Sequence, residues 1–495
     1  MSSFLDDLPE VFVSNTAISA SVYQAVEQGK LRKIGSRLYT KNLRDDAEVI
    51  VKRNLYYLLK EYYPDALIAD RTALENKPAG DGSVFLISKK KRKIELPGIT
   101  FHPRKGHKPL ESDRDFINGI KLSSIPRAYI ENMRPSRARS GVARTLSRKE
   151  MEERLDAYLR LKGDNALNKL RDDALTVSKA LDMDEEYNQL NELIGSLFGT
   201  KDAKLVSETG KARKVGIPYD SDRLDVFNAL FTTLRETAPH IRSSSELSTA
   251  ETTNLSFFEA YFSNFIEGTE FEVEEAADIV FNNEIPVERP QDAHDVLGTY
   301  RIVSNYDEMM ITPQDFDHFL QLLKRRHAIF MELRPDKNPG EFKKKANVAG
   351  TTHFVAPDLV VGTLKKGFEI YQGLEEPFDK AVYMMFLVSE VHPFTEGNGR
   401  AARIMMNAEL VAAQEQKIII PTIYRSNYLS ALKALTQNHV ANPIVRTLDF
   451  AQKYTQSVSW LTYEESMQDL RKTNAFMDPT LADNQGIRLR LPTTA

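Results

Sequence analysis

The segment that most constrains the fold lies near residue 390, where two apolar helical patterns are separated by a short loop that contains glycine. Residues 381–391 are apolar enough to form a buried helix, and we expect Pro393 to end it. Apolar residues at helical spacing begin again at Arg400 and continue to Val411. The pattern predicts two helices joined by a short loop within a mostly helical domain.

This loop has the composition of an anion-binding site. A loop that opens a helix presents backbone N–H groups and the positive end of the helix dipole, and both attract phosphate oxygens. Gly397 and Gly399 let the backbone approach a ligand closely. Arg400 and Arg403 lie three residues apart on the second helix, so they share one face and can contact further phosphate oxygens.

Two more side chains of the loop add chemistry to the predicted anion site. Glu396 is a hard oxygen ligand of the kind that Mg²⁺ takes together with phosphates and waters. His392 is the group here whose ordinary pKa suits a general base near neutral pH. Each residue alone has an ordinary structural explanation, but all of them fall within residues 392–403. The combination indicates phosphoryl or nucleotidyl transfer.

Residues 392–403, HPFTEGNGRAAR, match the Fic family signature at every specified position, so the chain resembles that family. The resemblance implies an all-α Fic domain that transfers AMP from ATP to a hydroxyl side chain of a target protein and releases pyrophosphate. Fic relatives also transfer UMP, phosphate or phosphocholine, and the anion-binding loop alone does not select among these donors.

The resemblance also implies a role for each residue of the signature. His392 would deprotonate the target hydroxyl, Phe394 would anchor the loop, and Glu396 would hold Mg²⁺ on the phosphates. The anion-binding residues would be Gly397, Asn398, Gly399, Arg400 and Arg403.

A second Fic-like pattern precedes the signature. Ser263 is followed at the family's spacing by Glu267 and Gly268, which resembles an inhibitory helix and places it near residues 255–268. In relatives with this pattern, the glutamate pairs with the second signature arginine, here Arg403. A carboxylate there would occupy the place of a phosphate oxygen and repel its charge. The same glutamate could instead orient a water that removes AMP.

Two further segments resemble the family less specifically. Residues 340–357 resemble the β-hairpin flap that positions the target, although Lys343 stands where an arginine is usual. Tyr428 resembles an aromatic residue that contacts the nucleoside, and an ordinary core tyrosine is the alternative.

The front of the chain differs in charge from the rest. The total charge of −4 divides into +10 over residues 1–150 and −14 over the remainder. A short helix is predicted within residues 18–29, followed by a basic hairpin, an order typical of a winged helix. The basic side chains that would neutralise DNA phosphates are Lys30, Arg32, Lys33 and Arg37. A solvated charged face is the alternative.

Residues 10–135 resemble the AbiEi-type antitoxin and transcriptional-regulator family. The resemblance rests on ISASVYQAVEQGKLRKIGSRLYT, DALIADRTALEN, VFLISKKKRKIELPGITFHP and GIKLSSIPRAYIENM. It implies a winged helix joined to a small α/β domain, and DNA as a partner. A DNA-binding regulator of toxin–antitoxin type, with a nucleotide-sensing or weakly active Fic domain, is therefore the alternative to an enzyme.

These patterns predict a multidomain, predominantly α-helical protein. We divide it into an AbiEi-like region, a helical connector, a Fic domain, and a C-terminal helix with a tail, over residues 1–135, 136–240, 241–455 and 456–495.

The composition narrows the setting of the protein. The chain has no cysteine, which excludes disulfides, thiolate metal sites and cysteine nucleophiles and suits a reducing cytosol. No leader pattern or apolar span is evident, so we expect a cytoplasmic protein without a membrane partner. The expected substrate and cofactor are ATP and Mg²⁺. A target protein is the expected partner, with DNA and a homo-oligomer as further expectations.

Overall fold

The computed structural model describes residues 8–138, 141–238, 241–244, 247–350 and 352–492. The chain is mostly helical, which confirms that part of the prediction. It forms two compact units, Met1–Val215 and Gly216–Ala495. Every helix within the described residues is too short or too polar to cross a membrane.

The first unit begins with a small antiparallel sheet and a helix. Strand order is β1-β3-β2. The elements are β1 (Val11–Val13), α1 (Ser19–Glu27), β2 (Arg32–Gly35) and β3 (Leu38–Thr40). Val22 and Ala25 are the buried residues of α1, and they pack with Phe12 and Leu31. The predicted helix and hairpin are therefore present, whereas their assignment to a winged helix stays a prediction.

A mixed sheet forms the centre of the first unit, in the strand order β6-β7-β5-β4-β9-β8. Its elements are α2 (Ala47–Arg53), α3 (Leu55–Tyr62), β4 (Leu67–Ile68), α4 (Asp70–Glu75), β5 (Ser83–Ile87), β6 (Ile94–Leu96), β7 (Ile99–Arg104), β8 (Arg114–Asp115), β9 (Lys121–Leu122) and α5 (Ile125–Met133). β5 is buried along its whole length and pairs parallel to β7, as an apolar run in a covered sheet favours.

Four helices complete the first unit: α6 (Arg148–Lys162), α7 (Asp164–Leu181), α8 (Asp184–Leu197) and α9 (Glu208–Lys214). Ser147 and Glu150 form a capping box at the start of α6. Leu155, Leu167 and Leu190 belong to the same apolar core as the sheet. The boundary between the two units thus falls inside the predicted connector, residues 136–240.

The second unit is built around a buried helix pair, α17 and α18. Its elements are α10 (Ser221–Glu236), α11 (Thr249–Ile266), α12 (Val273–Ala277) with a π-helical turn (Asp278–Asn282), α13 (Pro290–Val303), α14 (Tyr306–Met309), α15 (Phe316–Phe330), β10 (Val348–Ala349), β11 (Thr352–His353), α16 (Val360–Tyr371), α17 (Pro377–Val391), α18 (Asn398–Ala412), α19 (Arg425–Asn438), α20 (Asn442–Ser457), α21 (Tyr463–Lys472) and α22 (Pro479–Gln485). Most side chains of α17 and α18 are buried, which agrees with their apolar composition. The predicted helix, loop and helix near residue 390 are confirmed.

Candidate active site

The loop between α17 and α18 is held in shape by one side chain. Asn398 accepts a hydrogen bond from the Phe394 N–H at 2.8 Å through its Oδ1. Its Nδ2 donates to the Phe394 carbonyl at 3.0 Å. The side chain of Phe394 is fully buried, as the resemblance implied. Asn398 therefore acts on the loop itself, and it fixes the backbone that leads into α18.

The two glycines of the loop have close neighbours. Gly397 has φ +76°, and a Cβ there would lie 2.9 Å from the ring of Phe330. A Cβ at Gly399 would lie 2.1 Å from Oε1 of Glu267. An oxygen atom can therefore approach the backbone of the first turn of α18 at Gly399, and in this structure that oxygen belongs to the Glu267 carboxylate.

The ring of His392 is fixed by a hydrogen bond at one of its two nitrogens. It adopts a left-handed conformation, φ 53°, at the end of α17. Its Nδ1 lies 3.2 Å from the Ser389 carbonyl, and the ring of Phe354 stacks on it at 3.7 Å. A carbonyl only accepts, so Nδ1 carries the proton and the lone pair is on Nε2. No described residue hydrogen-bonds to Nε2.

The surroundings of His392 favour the neutral ring. Burial lowers its pKa to about 4, and the nearby ammonium of Lys343 acts in the same direction. At neutral pH the imidazole is therefore uncharged and can accept a proton.

Arg403 is bound by the two residues of the predicted inhibitory helix. Its Nε donates to Ser263 Oγ at 3.0 Å, and its Nη2 donates to the Ser263 carbonyl at 2.8 Å. The same Nη2 lies 2.8 Å from Glu267 Oε1. Desolvation alone would raise the pKa of Glu267, but the Arg403 guanidinium outweighs it and holds the pKa below its usual value. The carboxylate is consequently ionised at neutral pH.

Arg400 has a different set of partners, which the sequence did not indicate. Its Nη1 lies 3.0 Å from Asp295 Oδ2 and donates to Asn264 Oδ1 at 3.2 Å. Asp295 also binds Arg334 at 2.8 Å. The Arg400 Nε is buried and has no hydrogen-bond partner among the described residues. Arg400 thus fastens α18 to α11 and α13, with one donor left unused.

Glu396, the predicted magnesium ligand, forms an ion pair with Lys337. Its Oε2 lies 3.0 Å from the Lys337 Nζ, and both side chains are partly exposed. Within the described part of the chain, no three acidic or histidine side chains converge as a metal cluster would. A single accessible carboxylate nonetheless fits Mg²⁺, which takes its other ligands from phosphates and water.

A second histidine, His327, supports the loop through Phe394, and no pattern in the sequence indicated it. His327 is fully buried, and its ring stacks on Phe394 at 3.7 Å. Its Nδ1 accepts from the Gly340 N–H at 2.9 Å, and its Nε2 lies 2.9 Å from the Glu396 carbonyl. Since Nδ1 accepts, Nε2 carries the proton and donates. Burial lowers the pKa of His327 to about 4, so the ring is neutral.

The segment predicted as a flap contains a short hairpin beside the loop. β10 pairs antiparallel with β11, Val348 opposite His353, and Thr351 lies outside the described residues. Lys343 is buried, donates its N–H to the Pro393 carbonyl at 2.9 Å, and places Nζ 2.6 Å from Asn347 Oδ1. The role of this hairpin as a flap stays a prediction.

Tyr428 lies in the core near Arg403. The tyrosine is 1% exposed, and its hydroxyl contacts the Met385 sulfur at 3.2 Å. Burial raises its pKa, and the charge of Arg403 opposes that shift. In this structure the residue has the environment of a core tyrosine, and its contact with a nucleoside stays a prediction.

The basic residues of the first hairpin divide into two kinds. Lys30 and Lys33 are exposed. Arg32 donates to the Asp45 carbonyl, and Arg37 donates to the Ser14 carbonyl at 2.8 Å. A carbonyl does not neutralise a guanidinium, so both arginines keep their charge; Arg37 is exposed like the two lysines, whereas Arg32 is partly buried.

Comparisons with known proteins agree with the signature. Residues 315–410 match the Fic/DOC family. The protein adenylyltransferase Fic of Drosophila persimilis is 33% identical over 93 residues, which cover 19% of this chain and 18% of the relative. That of Drosophila mojavensis is 30% identical over 136 residues, 26% of each chain. The chain therefore spans about a fifth to a quarter of the length of these relatives.

Solved structures of Fic proteins show only a weak overall likeness. Fic-1 from C. elegans, residues 134–508, has 15% identity and a TM-score of 0.35, covering 66% of this chain and 95% of that one. IbpAFic2 covalently tethered to Cdc42 has 14% identity and a TM-score of 0.31, covering 61% and 87%. The sequence matches support a Fic-family protein and, at the level of the family, a transferase of AMP.

Proposed function

We propose that this protein transfers AMP from ATP to a hydroxyl side chain of a target protein and releases pyrophosphate. The observation that carries the proposal is His392, a neutral base at the edge of a glycine loop that opens α18, with an Nε2 to which no described residue hydrogen-bonds. The family matches of residues 315–410 support the same reaction class.

In the proposed reaction, His392 takes the proton of the target hydroxyl at Nε2. The hydroxyl oxygen then forms a bond to the α-phosphorus of ATP. The bond from that phosphorus to the bridging oxygen breaks, and pyrophosphate leaves with the electron pair. The other ring nitrogen, Nδ1, keeps its proton and donates it in a hydrogen bond to the Ser389 carbonyl, 3.2 Å away. This hydrogen bond holds the imidazole in place as the ring becomes positively charged.

The phosphates would be bound by the start of α18. The N–H groups of its first turn and the guanidinium of Arg403 supply donors for developing negative charge. Glu396 would hold Mg²⁺, whose chemistry when bound is the neutralisation of phosphate charge. Lys337 must then give up its ion pair with that carboxylate.

Glu267 would act as a brake on this reaction. Its Oε1 occupies both the space against Gly399 and the Nη2 of Arg403. A phosphate oxygen needs the same two places and carries the same charge as the carboxylate, so the two compete.

A second candidate function concerns the first unit. The run Lys89–Lys93 is exposed and joins β5 to β6, and Lys30 and Lys33 are exposed near the other sheet. These charges favour contact with nucleic-acid phosphates. A gel-shift assay over a salt series tests this nucleic-acid role. It compares the DNA upstream of the coding sequence for this protein with unrelated DNA. Binding to neither DNA contradicts the nucleic-acid role, and equal binding to both contradicts a specific repressor.

The enzymatic proposal is tested with ATP labelled at the α-phosphate, Mg²⁺ and cell lysate. We expect weak labelling by the wild type, strong labelling by Glu267→Gly, and none by Glu267→Gly/His392→Ala. If no variant labels protein although all are folded and bind ATP, the proposal is wrong.

A further inference from the structure

The contact between the inhibitory helix and the signature helix continues beyond Arg403. Glu259 lies two turns before Glu267 along the chain, and Asn407 lies one turn after Arg403. Asn407 Nδ2 donates to Glu259 Oε1 at 2.8 Å. The two helices, α11 and α18, are therefore joined at two levels: Glu267 with Arg403, and Glu259 with Asn407.

Lys417 completes the second level from the segment that follows α18. Its Nζ lies 2.8 Å from Glu259 Oε2 and 2.8 Å from the carbonyl of Val303, at the end of α13. Side-chain exposure is 10% for Lys417 and 6% for Glu259, whereas it is 30% for Glu267. One buried ammonium thus connects α11, α13 and the segment after α18, while the carboxylate of Glu267 is partly exposed.

The backbone beside Lys417 is fixed as well. Asn407 accepts from the Ile418 N–H at 2.8 Å and donates to its carbonyl at 3.0 Å. The backbone next to Lys417 is therefore fixed to α18, and this fixes the position of the Lys417 ammonium. The ammonium in turn determines where Glu259, on α11, lies relative to α18. Because Glu259 lies within α11 and Glu267 caps the C-terminal end of the same helix, the position of one restricts the other.

Loss of the ammonium would leave a carboxylate buried without a counter-charge, which is costly unless water reaches it. A cavity of about 480 Å³ adjoins this place, and its lining includes Leu255, Ser256, Val411 and Lys417. It offers room for water and for a shift of the first half of α11. A shifted α11 cannot keep Ser263 and Glu267 on Arg403 at their present distances.

We propose that Lys417 is a positioning residue for the brake: it holds α11 against α18 through Glu259 and thereby keeps Glu267 on Arg403. The inference rests on the proposed function, in which Glu267 restrains ATP binding. It adds a second, remote point at which that restraint can be released.

The test measures ATP affinity by calorimetry, in the presence of Mg²⁺, for Lys417→Met in the wild-type and Glu267→Gly backgrounds. We expect Lys417→Met to tighten ATP binding about threefold to thirtyfold in the wild-type background. This gain corresponds to part or all of the gain that removal of Glu267 produces. In Glu267→Gly the same substitution should change affinity less than about twofold, because no brake is left to release.

Two control variants separate positioning from general damage. Lys417→Arg keeps the charge, and the adjoining cavity accommodates the larger side chain, so it should retain the wild-type affinity. Lys366→Met removes a half-buried lysine paired with Glu369 in the same unit but far along the chain from Glu267, and it should leave ATP affinity unchanged. If Lys417→Met does not fold, Glu259→Gln breaks the same pair and should also tighten binding.

The inference is wrong if Glu267→Gly tightens ATP binding and neither Lys417→Met nor Glu259→Gln does so. An equal effect of Lys417→Met in both backgrounds also contradicts it, since the lysine would then act without the brake. If Glu267→Gly itself leaves ATP affinity unchanged, the braking role of Glu267 fails and the inference fails with it. If Glu267→Gly tightens ATP binding but labels no protein, the proposed transfer fails and the inference stands.

Discussion

Both units of the molecule bury charged clusters, but the two clusters differ in how completely they are closed. In the first unit, Arg127 and Asp113 are both fully buried and lie 2.6 Å apart. Arg127 also pairs with Glu131, and Asp70 is bound by Arg104 at 2.7 Å. Arg127 and both of its carboxylate partners lie inside the core, so no group from solvent can replace them without unfolding part of it.

The cluster of the second unit is closed at one end and open at the other. Lys417 and Glu259 are buried like the pairs of the first unit. Glu267, in contrast, is partly exposed and lies where the loop presents its N–H groups. The comparison teaches that a buried charge alone does not identify a functional site. A functional site is identified instead by an arginine whose partner can be exchanged for a ligand.

The largest effect should come from the base at the open end. In the Glu267→Gly background, His392→Ala should lower target labelling by about 10²–10⁴-fold, because general-base catalysis contributes that much. Labelling with α-phosphate-labelled ATP measures it, and ATP affinity serves as a control that should change little. Labelling that persists after this substitution would remove His392 from the mechanism.

The closed cluster should respond in stability rather than in activity. Arg127→Met leaves Asp113 buried without its cation and leaves Glu131 with Arg104 alone, so we expect a loss of about 3–5 kcal/mol in the unfolding free energy of the first unit. Urea denaturation measures this loss, with the exposed pair Lys169 and Asp173 as a matched control through Lys169→Met. A loss below about 1 kcal/mol would show that the cluster is not as closed as the structure indicates.

A smaller effect is expected at the pair of Lys337 and Glu396. Partly exposed pairs of this kind contribute about 0.2–1 kcal/mol, so freeing the carboxylate should alter metal binding only modestly. Lys337→Met in the Glu267→Gly background should lower the Mg²⁺ concentration for half-maximal ATP binding by up to about fivefold. A higher requirement for Mg²⁺ in this variant would indicate that Lys337 itself binds phosphate.

The smallest change is expected from pH across the neutral range. The pKa of His392 is lowered to about 4, so the basic form is already nearly complete at pH 6. In Glu267→Gly, kcat/KM should vary less than about twofold due to this residue between pH 6 and 8, and should fall as pH drops toward 4. An inflection near pH 6.5 that depends on His392 would contradict the buried, neutral ring.

The parts of the site that lie close in sequence could be predicted. The loop from His392 to Arg403 and the spacing of Ser263 and Glu267 follow local rules, because a helix turn or a tight loop fixes which residues are neighbours. Asp295, His327 and Lys337 could not be found in this way. Their partners lie far along the chain, and α13 and α15 have ordinary amphipathic sequences, so only the packing of helices brings them to the loop.

The same reasoning applies to the units. The sequence predicts a helical connector over residues 136–240, but it does not show what the leucines of α6 to α8 contact. In the structure most of these leucines, including Leu155, Leu167 and Leu190, belong to the same core as the mixed sheet, whereas Leu161 is exposed. Lys417 is a comparable case, since a single lysine after a helix has no pattern, and its significance comes from Glu259 on a distant helix.

The most direct test of the central claim is the ATP affinity of the wild type, Glu267→Gly and Glu267→Gly/Arg403→Ala, measured by calorimetry with Mg²⁺. If Glu267 occupies the phosphate position at Arg403, Glu267→Gly should bind ATP at least about tenfold more tightly than the wild type, and the added Arg403→Ala should abolish the gain. Equal affinities of the wild type and Glu267→Gly would contradict the account.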